Sequence, residues 1–272
     1  DNKSSDRTKL LAKRYTKLVF DYGPERSAQR NYGMLKKATG YYVMYIDADM
    51  ILSTKIIEKC IKKLNSDDSD ALFIPEYILG TNFFSRVRRF ERFFYDGTVI
   101  DGARFFKKNI ITKINGFDEQ LFKEGSGEDW DIDMKLKANE YSISLIDNKA
   151  DGQNYTPFLY NLLKSKGLLD FNFLGFFHNE SNFNLKDYIK KKFYYTKGFS
   201  GYIAKWGKDD PNIRKQFGFY YRFLQVFIEK GKWKIGGLFR NYIQLTKQKK
   251  KKYYLKKIKQ QPLMYHYDKV PG

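Results

Sequence analysis

With 272 residues, 42% apolar and 30% charged, the chain is globular in composition and suits one large α/β domain or one domain with an appendage. Its net charge of +20 is uneven: residues 1–150 hold 26 Lys+Arg against 23 Asp+Glu (+3), and residues 151–272 hold 25 against 8 (+17). No apolar run reaches the roughly 18 residues of a spanning helix, nothing at the start reads as a secretory signal, and the lone Cys60 excludes an internal disulfide; together these suit a reducing, cytosolic setting.

Taken in order, DNKSSDRT is turn-like and leads into a predicted helix over Arg7–Tyr15, followed by a short strand at Lys17–Phe20. Gly23-Pro24 interrupts the chain before a helix over Arg26–Ala38, with Ala28, Tyr32 and Leu35 inward and Gly40 at its stop. Tyr41–Ile46, with β-branched Val43 and Ile46, reads as a strand buried on both faces. A helix over Thr54–Leu64 should turn Ile56, Ile57, Cys60, Ile61 and Leu64 to one side, and Ala71–Ile74 is another strand. This alternation predicts an α/β class with a parallel sheet.

Glu76–Phe106 is aromatic-rich, with arginines clustered at Arg86, Arg88, Arg89 and Arg92, and the helix Lys108–Ile114 ends at Asn115-Gly116. Trp130, Ile132, Met134, Leu136 and Ala138 alternate with polar residues as a strand would, whereas Ser126-Gly127-Glu128-Asp129 has the capping-box pattern that opens a helix; a helix is expected. After a strand at Tyr141–Ile146 the pattern turns aromatic and lysine-rich, which puts a boundary near residue 180. The only low-complexity patch is Lys247–Lys259.

The chemistry centres on Asp47-Ala48-Asp49. Two carboxylates at i, i+2, directly after a buried-type strand, lie where open α/β sheets bind ligands, and they can share a hard divalent cation. Other copies of the pattern, Asp68/Asp70, Asp129/Asp131 and Asp131/Asp133, follow no such strand and read as surface or helix-terminal acids.

Several segments, in order, resemble the GT-A-fold family 2 glycosyltransferases. DNKSSDRT resembles the motif after the second strand of that fold, GPERSAQRNYGMLKKATG the helix before the metal-binding strand, and YIDADM that strand with its DxD. NGFDEQLFKEGSGEDWDIDMKLK resembles the GFDE and ED motifs, and FFHNESNFNLKDYIKKKFYY the HxE stretch with its following helix. The resemblance covers residues 1 to about 197 and implies a Rossmann-like catalytic domain over 1–180, with a helical, basic region over 181–272. It also implies that the family's first strand, helix and second strand, which supply much of the base pocket, are lacking ahead of Asp1.

The same resemblance implies roles. Asp47 and Asp49 would hold Mn²⁺ or Mg²⁺ on the diphosphate of a nucleotide-sugar donor. Asp129 would be the catalytic base of an inverting displacement, with Asp131 next in line and Glu128 supporting the acceptor or loop; a bland alternative makes both Glu128 and Asp129 helix-start acids favoured by the dipole. His178 is either a third metal or phosphate contact or a satisfied structural histidine. Asp1, Arg26, Arg30 and Asn31 would flank the donor pocket. Arg104 either reaches donor phosphates or snorkels over aromatics, and Trp130 either stacks on a sugar or packs in the core.

The carboxy-terminal stretch interleaves Phe, Tyr and Trp with lysine and has no spanning core. That composition suits in-plane contact with an anionic membrane surface on the cytoplasmic side, or a solvated basic helix. Nucleic acid is a less favoured anionic partner, because the front half carries an acidic site and no nucleic-acid motif. The reading is an inverting, metal-dependent glycosyltransferase acting on a lipid-linked, glycolipid or polysaccharide acceptor. The different-class alternative is a non-catalytic membrane- or nucleic-acid-binding protein that retains the fold.

Overall fold

The computed structural model describes residues 1–123, 126–147, 157–165, 173–180 and 183–229. Two compact units are present, Asp1–Val226 and Phe227–Gly272. Nearly all of the second lies outside the described residues, as do the low-complexity lysine patch and His266.

The first helix, α1 (Thr8–Lys13), lies within the predicted span. The expected strand at Lys17–Phe20 does not form. Its one backbone neighbour of strand type is Asp1, which bonds Phe20 O and Tyr22 N, too little for a ladder, and Leu18 is exposed. Glu25 then caps α2 (Arg26–Asn31) by accepting from Ser27 N and Ala28 N at 2.6 and 2.7 Å. The helix continues as a wider π-helical turn over Tyr32–Lys37.

The sheet is mixed, not parallel. Its four strands run in the order β1 (Tyr42–Met44), β5 (Phe105–Lys107), β3 (Ala71–Phe73), β6 (Ile143–Leu145). The strand β5 lies antiparallel between β1 and β3, and only β3–β6 is parallel. The segment behind β5, Ala103–Phe106, sits in the aromatic-rich stretch where no strand was expected. Its small and aromatic residues suit a doubly buried position: Phe105 packs on one face of the sheet and Phe106 on the other. Insertion of β5 leaves β1 at an edge of the sheet, yet both of its faces are packed, Val43 against one apolar cluster and the partly buried Tyr42 and Met44 against the other. Val43 and Tyr45 point inward, and Tyr41 and Ile46 are exposed.

A second, three-stranded sheet has the order β2 (Met50–Leu52), β7 (Phe176–Asn179), β4 (Glu76–Leu79). Met50 pairs with His178 and Ile78 pairs with His178 on the other side, so this ladder carries the histidine to the end of the DxD turn. Gly175 has a positive φ and passes against the Pro75 carbonyl, an approach that no side chain permits.

Two apolar layers enclose the four-stranded sheet. On one face α5 (Lys108–Lys113) and α6 (Glu128–Ala138) contribute Ile110, Ile111, Ile132 and Leu136. On the other, α3 (Ile56–Asp67) contributes Ile56, Cys60 and Leu64, while Ile57 is exposed and Ile61 is only partly covered. Burial pushes the Cys60 thiol up to about 12, so it acts as a small apolar residue.

Helix wins over strand at α6 because its flanks are buried almost all round, including Asp131 and Asp133. These two are therefore core acids rather than surface ones. The expected Ser126 cap is not made; Gly127 occupies the cap position, and Glu128 accepts from its N–H at 3.0 Å. The amphipathic α4 (Phe83–Tyr95) packs on β4, with Asn82 capping it through Ser85 N. The short α7 spans Pro157–Ser165.

Beyond β7, α8 (Leu185–Thr196), α9 (Phe199–Trp206) and α10 (Pro211–Phe217) belong to the same compact unit as the sheets. Tyr202 and Ile213 join Phe122 and Met134 in a further apolar cluster that includes Trp130. The polypeptide then turns through Tyr221–Gln225.

Asn31 belongs to the scaffold rather than to a pocket. It is 7% exposed, accepts from Phe117 N at 2.8 Å and donates to Phe117 O at 2.9 Å, locking α2 to the loop after Gly116. Asn31→Ala would orphan both buried backbone groups, so a loss of about 1–3 kcal/mol is expected in urea denaturation. A change within error would show that water replaces the amide.

Candidate active site

The carboxyl end of β1, the amino end of β4, the start of α6, and β7 and α8 surround one cleft of about 1180 Å³. It is lined by Asp47, Asp49, Glu128, Asp129 and His178, and by Arg26, Arg30, Arg104 and Trp130. Residues from five segments of the sequence thus face one space. Asp1 does not line it; its carboxylate accepts from Ser4 N and Oγ at 2.8 and 2.6 Å in a local turn.

Arg30 is the hub of the site. Its guanidinium, only 11% exposed, meets Asp47 Oδ1 at 2.9 Å, Asp129 Oδ1 at 3.0 Å and Glu128 Oε1 at 3.3 Å. It also stacks over Tyr45 at 4.3 Å and Phe117 at 5.2 Å. Asp47 takes a second arginine, Arg104, at 3.2 Å, and Glu128 takes Arg26 at 3.0 Å. Burial alone would raise the Asp47 carboxyl, but Arg104 and Arg30 outweigh it and hold the group below its ordinary range. Burial and the neighbouring Asp129 charge push Glu128 the other way, above its ordinary value, against the pull of Arg26 and Arg30.

Asp129 projects from the first turn of α6. Its Oδ1 lies 2.8 Å from the Tyr45 hydroxyl, which is also 3.0 Å from the Ala103 carbonyl. Burial and the Asp129 charge raise the phenol well above 10, so Tyr45 serves as a neutral donor. Gly102 makes room here, since a Cβ at that position would meet Asp129 Cβ at 2.8 Å. Asp131 points away from the cleft. It is fully buried against Lys205 at 2.8 Å and Trp206 Nε1 at 2.7 Å, so it is not positioned as a substitute base.

On the opposite wall, His178 Nδ1 lies 2.6 Å from Glu76 Oε1, and its Nε2 lies 3.0 Å from Asp49 Oδ2. Glu76 is itself held by Arg92, which bonds Asp101 at 2.6 Å. Burial opposes the charge on Glu76, yet Arg92 and His178 drive its carboxyl below the ordinary range. Burial would lower the His178 pKa, but its bonds and charges toward Glu76 and Asp49 raise it.

No group of three or more His, Cys, Asp and Glu side chains that could cage a metal occurs among the described residues. Asp47 is committed to two arginines. Asp49 is half exposed to the cleft, and Glu76 fixes the His178 ring so that Nε2 faces it, the support that ligating histidines commonly have. This donor pair fits a cation that completes its shell with substrate oxygens, as Mg²⁺ usually does, and not an all-protein cage.

Trp130 is a packing residue. It donates to Ile100 O at 3.0 Å, stacks on Phe199 with centroids 5.7 Å apart, and carries Arg222 at 5.5 Å. Arg104 lies over Tyr45 at 5.0 Å, the arrangement expected of an arginine over aromatics, and pairs with Asp47 in the cleft. Tyr45, Glu76 and Asp101 were not singled out from the sequence, and Arg92 was noted only as one of a cluster of arginines. The one available signal was Pro75-Glu76, an acid set in an otherwise apolar strand segment.

The described residues form an α/β fold with mixed sheets and an acidic turn after a strand, the arrangement of a GT-A-type domain. Residues 1–124, a little under half of the chain, match the family model Glycosyl transferase family 2, which supports assignment of this segment to a family 2, GT-A-type domain. No curated protein matches the chain. The match ends before α6, so Glu128, Asp129 and His178 are tied to the family segment by the cleft geometry.

Asp133, one turn below Asp129, accepts from Ala103 N at 3.1 Å, and burial raises its carboxyl well above the ordinary value. Lys137 opposes that shift, and the charges of Asp101 and Asp129 add to it. A raised folded-state pKa means that its contribution to stability is present below the unfolded carboxyl range, about 4, and is lost as pH rises through the folded value. Asp133→Asn is therefore expected to be more stable than the parent near pH 8, with the advantage shrinking toward about pH 4, in urea denaturation at each pH. Equal stability near neutrality would mean that the ionised carboxylate is satisfied in the core.

Proposed function

We propose that the protein is an inverting glycosyltransferase that moves a sugar from a nucleotide-sugar donor to a hydroxyl of a lipid-linked, glycolipid or polysaccharide acceptor. The observation that carries this reading is the convergence of Asp47, Asp49, Asp129 and His178 on one cleft behind a family 2 segment. Members of this family usually draw on nucleotide-sugar donors.

In this reading the acceptor oxygen attacks the anomeric carbon, the bond from that carbon to the diphosphate oxygen breaks, and Asp129 takes the hydroxyl proton. Tyr45 and Arg30 aim the Asp129 carboxylate, each through Oδ1. Arg30 and Arg104 neutralise Asp47 until donor phosphates compete for them. Asp49 and His178 would hold Mn²⁺ or Mg²⁺, which when bound supplies Lewis-acid stabilisation of the leaving diphosphate. Asp129→Asn keeps the shape of the side chain and removes its basic lone pair. Transfer in a nucleotide-sugar panel should then fall by about 10²–10⁴ with donor binding nearly kept. A loss under about threefold would remove Asp129 from the role of base.

We also propose peripheral attachment to the cytoplasmic face of a membrane. Support comes from the net +17 of residues 151–272 and from the exposed Phe193, Phe219, Tyr220 and Phe223. No helix among the described residues is long and apolar enough to cross a membrane. The protein should co-sediment with vesicles containing phosphatidylserine and far less with pure phosphatidylcholine vesicles. Equal binding to both would remove the electrostatic part of the idea, and binding to neither would remove the attachment itself.

A further inference from the structure

Around the acidic centre of the cleft, each arginine has a carboxylate. Arg26, Arg30, Arg88, Arg92 and Arg104 all lie within 3.4 Å of one. Three further cations line the same cleft without one: Lys191 and Lys192 from α8, and Arg222 from the turn after α10. Among the described residues none of the three makes an ion pair, and Glu91, whose field reaches Lys192, is bonded by Arg88 at 2.8 Å.

Aromatic faces hold these cations in place. Lys191 lies 5.6 Å from the Tyr195 ring centre, Lys192 lies 5.1 Å from that of Tyr188, and Arg222 lies 5.5 Å from that of Trp130. A quadrupole attracts a cation but leaves its charge uncompensated, so the cluster remains open to an anion. Its place suggests which one: Arg222 lies over Trp130, the residue after Asp129, so one end of the cluster stands near the proposed base, which must touch the acceptor hydroxyl.

We infer that Lys191, Lys192 and Arg222 form an anion subsite for the acceptor, which therefore carries a phosphate or carboxylate close to the attacking hydroxyl. This rests on the glycosyltransferase reading above and narrows its acceptor to an acidic one. The phosphate of a sugar linked to a lipid and the carboxylate of a uronic acid share the chemistry; the test separates them.

Calorimetric titration of the full chain with a hexose 1-phosphate, a free hexuronic acid and a neutral methyl hexoside reads the preference. The acidic sugars should bind more tightly than the neutral one by on the order of tenfold, the scale expected of three solvent-facing charge contacts. Whichever acid binds better names the source. The triple variant K191Q/K192Q/R222Q should lose that preference, and a control K59Q/K62Q/K63Q on α3 should keep it. Equal binding of neutral and acidic sugars, or a preference that survives in the triple variant, would overturn the subsite.

Repeating the titrations in excess uridine or guanosine diphosphate with Mg²⁺ tests the assignment to the acceptor. Retained anion binding supports it, and full displacement would assign the cations to the donor instead. Nucleoside diphosphate binding by the parent, measured in the same series, bears on the transferase reading separately. Its absence beside an intact anion preference would count against that reading and not against the subsite.

Discussion

Three carboxylates, Asp47, Glu128 and Asp129, stand around a guanidinium that is almost removed from water. Without Arg30 their mutual repulsion in a partly desolvated cleft would force one or more to take up a proton or turn outward. With it, the end of β1 and the start of α6 are bound to α2 by charge-assisted hydrogen bonds. The aromatic faces of Tyr45 and Phe117 then prevent the guanidinium from leaving toward solvent. Much of the cleft depends on this contact, because α2, β1 and α6 share no ladder.

A second network has the same logic on the facing wall. Asp101, Arg92, Glu76, His178 and Asp49 form a chain that runs from the core to the cleft surface. Each buried charge is answered by the next, and only the last member is half exposed. The chain fixes the histidine ring and leaves Asp49 as the accessible carboxylate of the DxD pair, while Asp47 is held by arginines. The two acids of one short motif are thereby given different electrostatic settings.

The carboxy-terminal helices enlarge the cleft. The apolar sides of α9 and α10 pack on Trp130 and Met134, so these elements are held by the helix that presents Asp129. In the proposed reaction, acceptor contacts and base placement would be linked through α6, and donor contacts would rest on the ends of β1 and β7.

Much of the scaffold was legible locally. The apolar spacing of α3, the Asn115-Gly116 stop and the strand before Asp47 are set by nearest neighbours along the chain, and the ordered motifs pointed to the family whose model matches residues 1–124. The acid pair at the end of β1 and Asp129 at the start of α6 were equally visible, because strand ends and helix starts are where polar groups stay unburied. What the local pattern could not decide was partnership. Whether β1 is central or an edge depends on β5 inserting from more than fifty residues away, and Ala103–Phe106 carries no periodicity that reveals it. The same holds for Asp131, Asp133 and Asn31, whose side chains look suited to a surface or a pocket until packing buries them, and for Glu76, which acquires its role only when β7 brings His178 beside it. Sequence spacing determines which face a side chain takes; only the tertiary fold determines what stands opposite, and in a low-dielectric cleft the opposite charge sets what each group can do.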